Sequence, residues 1–319
     1  MTPEGSTHVD TAFTGTTPSF SCTVPGKVAV AVVVRQRVFA EAAGPEAIEF
    51  GAGFEPPIRV CDREVMATLR FGALFPTANA DVEDFRRLLG RVSPPARLEV
   101  VELRWPPGVA AGLAYMSDDR LADAAAGLGD PALLASALDG SVGRFEAVAL
   151  AVTSASFLRS AHDHGRQLAT LARVARCRGT TTLRGFQDAV RHLGVTRVGV
   201  ASVYPSHFTD EFIAHLGETD AAVVHRVDAN ARTDHDLARW GDERIIDLVT
   251  RAVYPEAEVV LLPETALHTD HLTAALAEAA GVPVLTATQV TIWSLFRALG
   301  CAPAAAGAGP LFGVAAGDA

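Results

Sequence analysis

Residues Leu69–Gly90, LRFGALFPTANADVEDFRRLLG, lie without gaps over Thr196–Gly217, TRVGVASVYPSHFTDEFIAHLG. Arg70 then matches Arg197, Gly72 matches Gly199, Phe85 matches Phe212 and Leu89 matches Leu216. Gly90 matches Gly217, and acids at 83 and 84 lie over acids at 210 and 211. Two further overlays follow in the same order. EAVALAVTSAS from Glu146 overlays EVVLLPETALH from Glu258, pairing Val152 with Glu264 and Thr153 with Thr265. TTTLRGFQDAVRHLG from Thr180 overlays TATQVTIWSLFRALG from Thr286, pairing Thr180, Thr182, Arg191 and Gly194 with Thr286, Thr288, Arg297 and Gly300. Unrelated strand–helix units also share apolar strands and a closing glycine, but three gapless matches in one order read as a duplicated unit.

Outward from these stretches the chain keeps one rhythm. Short apolar, β-branched runs alternate with amphipathic segments, the signature of parallel strands joined by helices. The strands expected are 69–75, 97–103, 147–152, 197–203, 221–225, 259–262 and 283–285. Helices are expected notably at 81–89, 157–175, 183–193, 209–216, 242–252, 271–280 and 289–299. The fold class is therefore α/β, with two pseudo-symmetric, Rossmann-like domains built on parallel sheets. The first spans 66–194 together with the tail 301–319, and the second spans 195–300. Ligands of open α/β sheets sit beyond the carboxyl ends of the strands, so the active site is expected in the cleft between the halves. Residues 1–65 read as an N-terminal extension, partly disordered, because the first 26 are rich in Thr, Ser, Pro and Gly. Met66, which opens the clean strand pattern, is the expected natural start.

Composition excludes several functions. The 27 basic and 37 acidic side chains give a net charge of −10, and no run of Lys or Arg supplies a local footprint for phosphate backbones or anionic lipid. Nucleic acid and membrane are thus not expected partners. Lys27 is the only lysine, and nothing around it resembles a P-loop, a kinase lysine or a Schiff-base site. Cys22, Cys61, Cys177 and Cys301 lie far apart without CxxC spacing, which argues against zinc ribbons and reads as four reduced thiols. The apolar run 28–34 is too short to span a bilayer and starts too late for an ordinary signal peptide, so the expected location is cytoplasmic.

The strand-end loops carry the chemistry. Thr153–Ser156, TSAS, follows a buried strand and precedes a helix, so Thr153 and Ser154 serve either as helix caps or as a carboxylate-binding nest. Tyr204, at the end of the matching strand, either donates its phenol to the same anion or packs. Glu264 follows the apolar run VVLLP, where partial desolvation raises a carboxyl pKa toward neutrality and suits it to proton transfer. A solvated loop acid is the bland alternative. His268 stands four residues on, within reach of Glu264. His162 with His164, and His268 with His271, are loose metal pairs without a third ligand at a recognisable spacing.

From Met66 to about Phe312 the chain resembles the aspartate/glutamate racemase superfamily, in its maleate cis-trans isomerase and arylmalonate decarboxylase branch. LFPTAN with Glu83 looks like the first strand and the loop bearing Asn79, VTSASF like the first catalytic loop, and PETALHT like the second. Tyr204 falls where the family has a substrate-binding Tyr, and GPLF resembles the closing segment. The resemblance implies an enzyme without cofactor or metal, acting on a small-molecule carboxylic acid. Its site would draw on Glu264 and Tyr204 for catalysis, with Asn79, Val152, Thr153, Ser154, Thr265 and His268 binding substrate. A homo-oligomer is compatible with that reading. The family uses cysteines at the symmetric strand ends, where this chain has Val152 and Glu264. Both departures point to decarboxylation of a malonate-like acid through an enediolate, an apolar Val152 favouring loss of CO2 and Glu264 supplying the proton. Maleate-type isomerisation, or another proton-transfer isomerase or racemase reaction, is the alternative. A non-catalytic carboxylate-binding protein is the third.

Overall fold

The structure is a computed structural model, and it describes residues 68–76, 82–105, 117–231, 237 and 239–313. The leader, the expected start at Met66 and the loop bearing Asn79 lie outside the described residues. The described residues fall within one compact unit, and its element order repeats itself. The first half runs β1 (Leu69–Pro76), α1 (Glu83–Leu89), β2 (Ala96–Leu103), α2 (Asp118–Gly127), α3 (Pro131–Ala137), β3 (Ala147–Leu150), α4 (Thr153–Phe157), α5 (Ala161–Ala175), β4 (Arg178–Thr181) and α6 (Thr182–Leu193). The second runs β5 (Arg197–Ser202), α7 (Ser206–Leu216), β6 (Ala222–Asp228), α8 (Asp242–Arg251), β7 (Val259–Leu262), a 3₁₀ turn (Asp270–Leu272), α9 (Thr273–Ala280), β8 (Val284–Thr286) and α10 (Ala287–Ala298).

The strands form two parallel four-stranded sheets, ordered β2-β1-β3-β4 and β6-β5-β7-β8. These are one topology twice. Register matches between the central strands, where Phe71 faces Ala147 in the first sheet and Val198 faces Val259 in the second, while β5–β6 alone shifts register between Val198 and Gly199. The same residues tie both. The carboxylate of Glu146 accepts from the Arg70 backbone N–H and guanidinium at 2.6 and 2.7 Å, and that of Glu258 accepts from the same groups of Arg197, both at 2.9 Å. Gly72 and Gly199 occupy one position where a Cβ would sit 3.0 Å from the Phe145 ring and 2.6 Å from the Ala252 carbonyl. Both sheets are packed too closely there for a side chain.

The third overlay needs a correction of one residue. Leu150 pairs with Thr181 and Leu262 with Thr286, so Thr181, not Thr180, is the counterpart of Thr286. Both cap a helix: Thr181 accepts the Arg184 N–H, and Thr286 with Gln289 forms a capping box. Gly194 and Gly300 still correspond, each ending its helix with a left-handed φ of 65° and 71°, as glycine does without Cβ strain. The extra residue is therefore absorbed at the far end of α10. One strand, β4, was not expected, because RGTT offers no apolar run. The expected helix over 157–175 is two helices, broken at 158–160, where Ser160 caps α5 by accepting the Asp163 N–H.

The halves share one apolar core, which runs from Phe71, Phe85 and Phe186 to Val200, Leu261 and Phe296. Helices α6 and α10 cross within it so closely that a Cβ on Gly185 would lie 2.7 Å from the Val290 carbonyl. α10 also packs on the first sheet through Phe71–Phe296 (4.9 Å between centroids) and the Thr180–Ser294 hydrogen bond (3.2 Å). The tail returns to the first half, where Ser93 and Ala304 exchange backbone hydrogen bonds at 2.8 Å. Cys301 is disulfide-bonded, which corrects the expectation of four reduced thiols, while Cys177 is a free thiol pushed up to about 11 by burial and then by Glu146. Among the described residues no helix is long and apolar enough to cross a membrane.

Candidate active site

The two matching strands β3 and β7 end on loops that meet. Thr153 Oγ1 donates to Thr265 Oγ1 at 3.4 Å, and Thr265 Oγ1 donates to the Ala151 carbonyl at 3.0 Å. Residues equivalent in the duplication thus touch across the pseudo-twofold axis, and both hydroxyls are buried. Beside them stand the unlike pair. Val152, 8% exposed, packs with Leu74, Leu150 and Ala155, whereas Glu264, 7% exposed, puts a carboxylate at the equivalent strand end.

Local chain geometry explains why Glu264 turns inward. Its N–H donates to the Leu262 carbonyl at 3.0 Å, closing a γ-turn at Pro263 that bends the chain off the strand. Its Oε1 accepts the Ala266 N–H at 2.7 Å, which fixes the side chain over its own loop. On the first loop, Ser156 Oγ donates to the Thr153 carbonyl at 2.7 Å, and Ser154 is half-buried. At five residues α4 is little more than one turn, so it offers individual N–H groups rather than a macrodipole of any weight.

Tyr204 is 6% exposed and reaches the first loop through Phe157, whose ring lies edge-on at 5.3 Å. Ser202 holds it there, its Oγ accepting the Tyr204 N–H at 3.1 Å and the Thr209 hydroxyl at 2.7 Å. His268 is half-buried on the loop of Glu264. Thr153 and Thr265 are thus in contact, Val152 and Ser154 share the first loop, Glu264 and His268 share the second, and Tyr204 packs on Phe157 of the first; Asn79 lies outside the described residues.

Asp84 was missed as a site residue. It is buried on α1, yet it accepts the backbone N–H groups of Thr269 and Asp270 at 3.1 and 2.9 Å. An acid of the first half thereby anchors the end of the second loop. The signal was available: Asp84 lies on the helix face that Phe85, Leu88 and Leu89 bury, and a buried acid requires donors. The paired histidines do not converge on a metal. His164 bonds Thr181 Oγ1 at 2.8 Å, His162 is exposed, and His271 bonds Asp242; among the described residues no group of three or more His, Cys, Asp or Glu could hold an ion.

With this geometry in place, the comparisons define the class. A liganded mutant of arylmalonate decarboxylase superposes with a TM-score of 0.58 at 22% identity, over 77% of this chain and 99% of that one. Maleate isomerase Iso from Pseudomonas putida S16 gives 0.60 at 16% identity, over 77% and 98%. A Nocardia farcinica maleate cis-trans isomerase mutant with a covalently bound succinylcysteine intermediate gives 0.59 at 18%, over 77% and 98%. These likenesses define the α/β fold. The family model for arylmalonate decarboxylase matches residues 119–312, more than half of the chain. The chain belongs to the arylmalonate decarboxylase family, and the expected enzyme class, a lyase or isomerase, follows from that membership. A comparison with curated proteins gives no match.

Proposed function

We propose that the protein is a decarboxylase of a malonate-like carboxylic acid, acting through an enediolate. The observation that carries this reading is the meeting of Thr153 and Thr265 at 3.4 Å beside a buried Glu264 and an apolar Val152. One substrate carboxylate is held by the hydroxyls of Ser154 and Tyr204 and by those of Thr153 and Thr265, which turn to it from their bonds to Thr265 and to the Ala151 carbonyl. The departing carboxylate faces Val152, where poor solvation favours its loss as neutral CO2. The electron pair of the broken C–C bond passes to the α-carbon and is delocalised over the retained carboxylate, whose developing charge the same hydroxyls stabilise. Glu264 then gives its proton to the α-carbon, forming the monoacid, and recovers a proton from water. His268 lines the second loop and sets the substrate's side-group pocket.

The test is a panel of aryl- and alkylmalonates set against maleate. Release of CO2 from a malonate, weakened by Thr153→Ala, is expected. Conversion of maleate without loss of mass would replace this reading with isomerisation, and tight carboxylate binding without turnover would replace it with a binding protein.

A further inference from the structure

The amino ends of the first sheet hold a cavity of about 230 Å³, lined by Arg70, Phe71, Arg97, Glu99, Arg144 and Phe145. It lies at the opposite end of β3 from Thr153, eight residues along the chain from Phe145, or up to about 26 Å at ~3.3 Å per residue. The duplication supplies an internal control for what the fold itself requires here. Arg70 with Glu146 recurs as Arg197 with Glu258, so that pair belongs to the common scaffold. The other two arginines do not recur. Arg97 is opposite Arg70 in register, and the residue opposite Arg197 is Ala222. Arg144 stands two residues before Glu146, and Glu256 stands two before Glu258. A neutral and an acidic residue thus serve the same fold where this half carries two cations.

Among the described residues Arg97 has no carboxylate partner. Arg144 pairs with Glu99, but both side chains are about half exposed, at 47% and 54%, and such a pair holds its partners weakly. Its guanidinium also lies over the Phe145 ring, 5.1 Å from the centroid. Two guanidiniums lining one cavity, one of them over an aromatic ring, suit an oxyanion, which a guanidinium binds bidentately. We infer that this cavity is a second ligand site, separate from the catalytic loops, for a small multiply charged oxyanion: a phosphate or a dicarboxylate held by Arg97 and Arg144.

Arginine modification by phenylglyoxal on the full chain, mapped by peptide mass spectrometry, reads this site alone. Inorganic phosphate or malonate should slow modification of Arg97 and Arg144 at least fivefold, with saturation, while the exposed Arg166 reacts at an unchanged rate. The lower half-protecting concentration identifies which oxyanion is preferred. Arg144→Glu, which copies the second half, should raise the half-protecting concentration at Arg97 at least tenfold without changing the circular dichroism spectrum. Protection of Arg97 no greater than that of Arg166, by both anions, would overturn the inference. So would protection that survives Arg144→Glu unchanged.

Discussion

The two halves share strand order, the register of their central strands, the Arg–Glu ties and the crowded glycine, yet they differ just past the carboxyl ends of β3 and β7. At that position the first half has Val152 and the second Glu264, side by side with the touching pair Thr153 and Thr265. What the duplication repeats is scaffold, and what it leaves unequal is chemistry. In the proposed reaction this inequality is what lets one carboxylate leave while the other is retained.

Breaking that inequality should have the largest effect. Glu264→Gln is expected to lower kcat by about 10² to 10⁴, the range for a general acid, whereas Val152→Ala should cost under about tenfold in a CO2-release assay.

The next effect lies where α5 of the first half meets α7 of the second. The His164 and His215 rings stack edge-on at 5.9 Å, and burial, then the charge of His215 and that of Arg184, lowers the His164 pKa to about 4. Because this folded value is below the unfolded one of about 6.5, the unfolded chain binds more protons between the two. Stability is unaffected above pH 6.5 and falls as pH drops toward 4, by about 3 kcal/mol in all. Urea midpoints measured from pH 7 to 4 should show this slope, and His164→Gln should flatten it.

The crossing of α6 and α10 is the third point of contact between the halves. Gly185→Ala should cost about 2 kcal/mol, since the Val290 carbonyl is backbone and cannot turn aside; chemical denaturation measures it. Smallest is a difference between two buried threonines on those helices. Thr182 Oγ1 bonds Thr291 at 2.8 Å, but the Thr288 hydroxyl, fully buried, has no partner among the described residues. Thr288→Val should therefore stabilise by about 1 kcal/mol, and Thr182→Val should destabilise by a similar amount.

Much of this was legible in sequence because duplicated segments carry long, aperiodic matches. The overlays at Leu69 and Glu146 agree with the sheet register residue for residue, and they placed Val152 opposite Glu264. The overlay at Thr180 slipped by one because TTT presents three equivalent hydroxyls, and only cap geometry distinguishes the one that accepts the Arg184 N–H. Strand β4 escaped because its burial comes from the covering helices, not from its own side chains. The burial of Asp84 was readable from its helix face, but its partners were not, being backbone groups nearly two hundred residues away. The burial of Glu264, by contrast, was readable in the apolar run VVLLP that leads into it.

In the proposed reaction Glu264 protonates, from one face, the carbon left by departing CO2. Turnover of a prochiral aryl-alkylmalonate in deuterium oxide measures this directly. One CO2 should be released and one deuteron gained at the α-carbon per turnover, with a single product enantiomer, and Glu264→Gln should bind the diacid but turn it over at least a hundredfold more slowly. Decarboxylation by Glu264→Gln at the parental rate, or a racemic product, would contradict it.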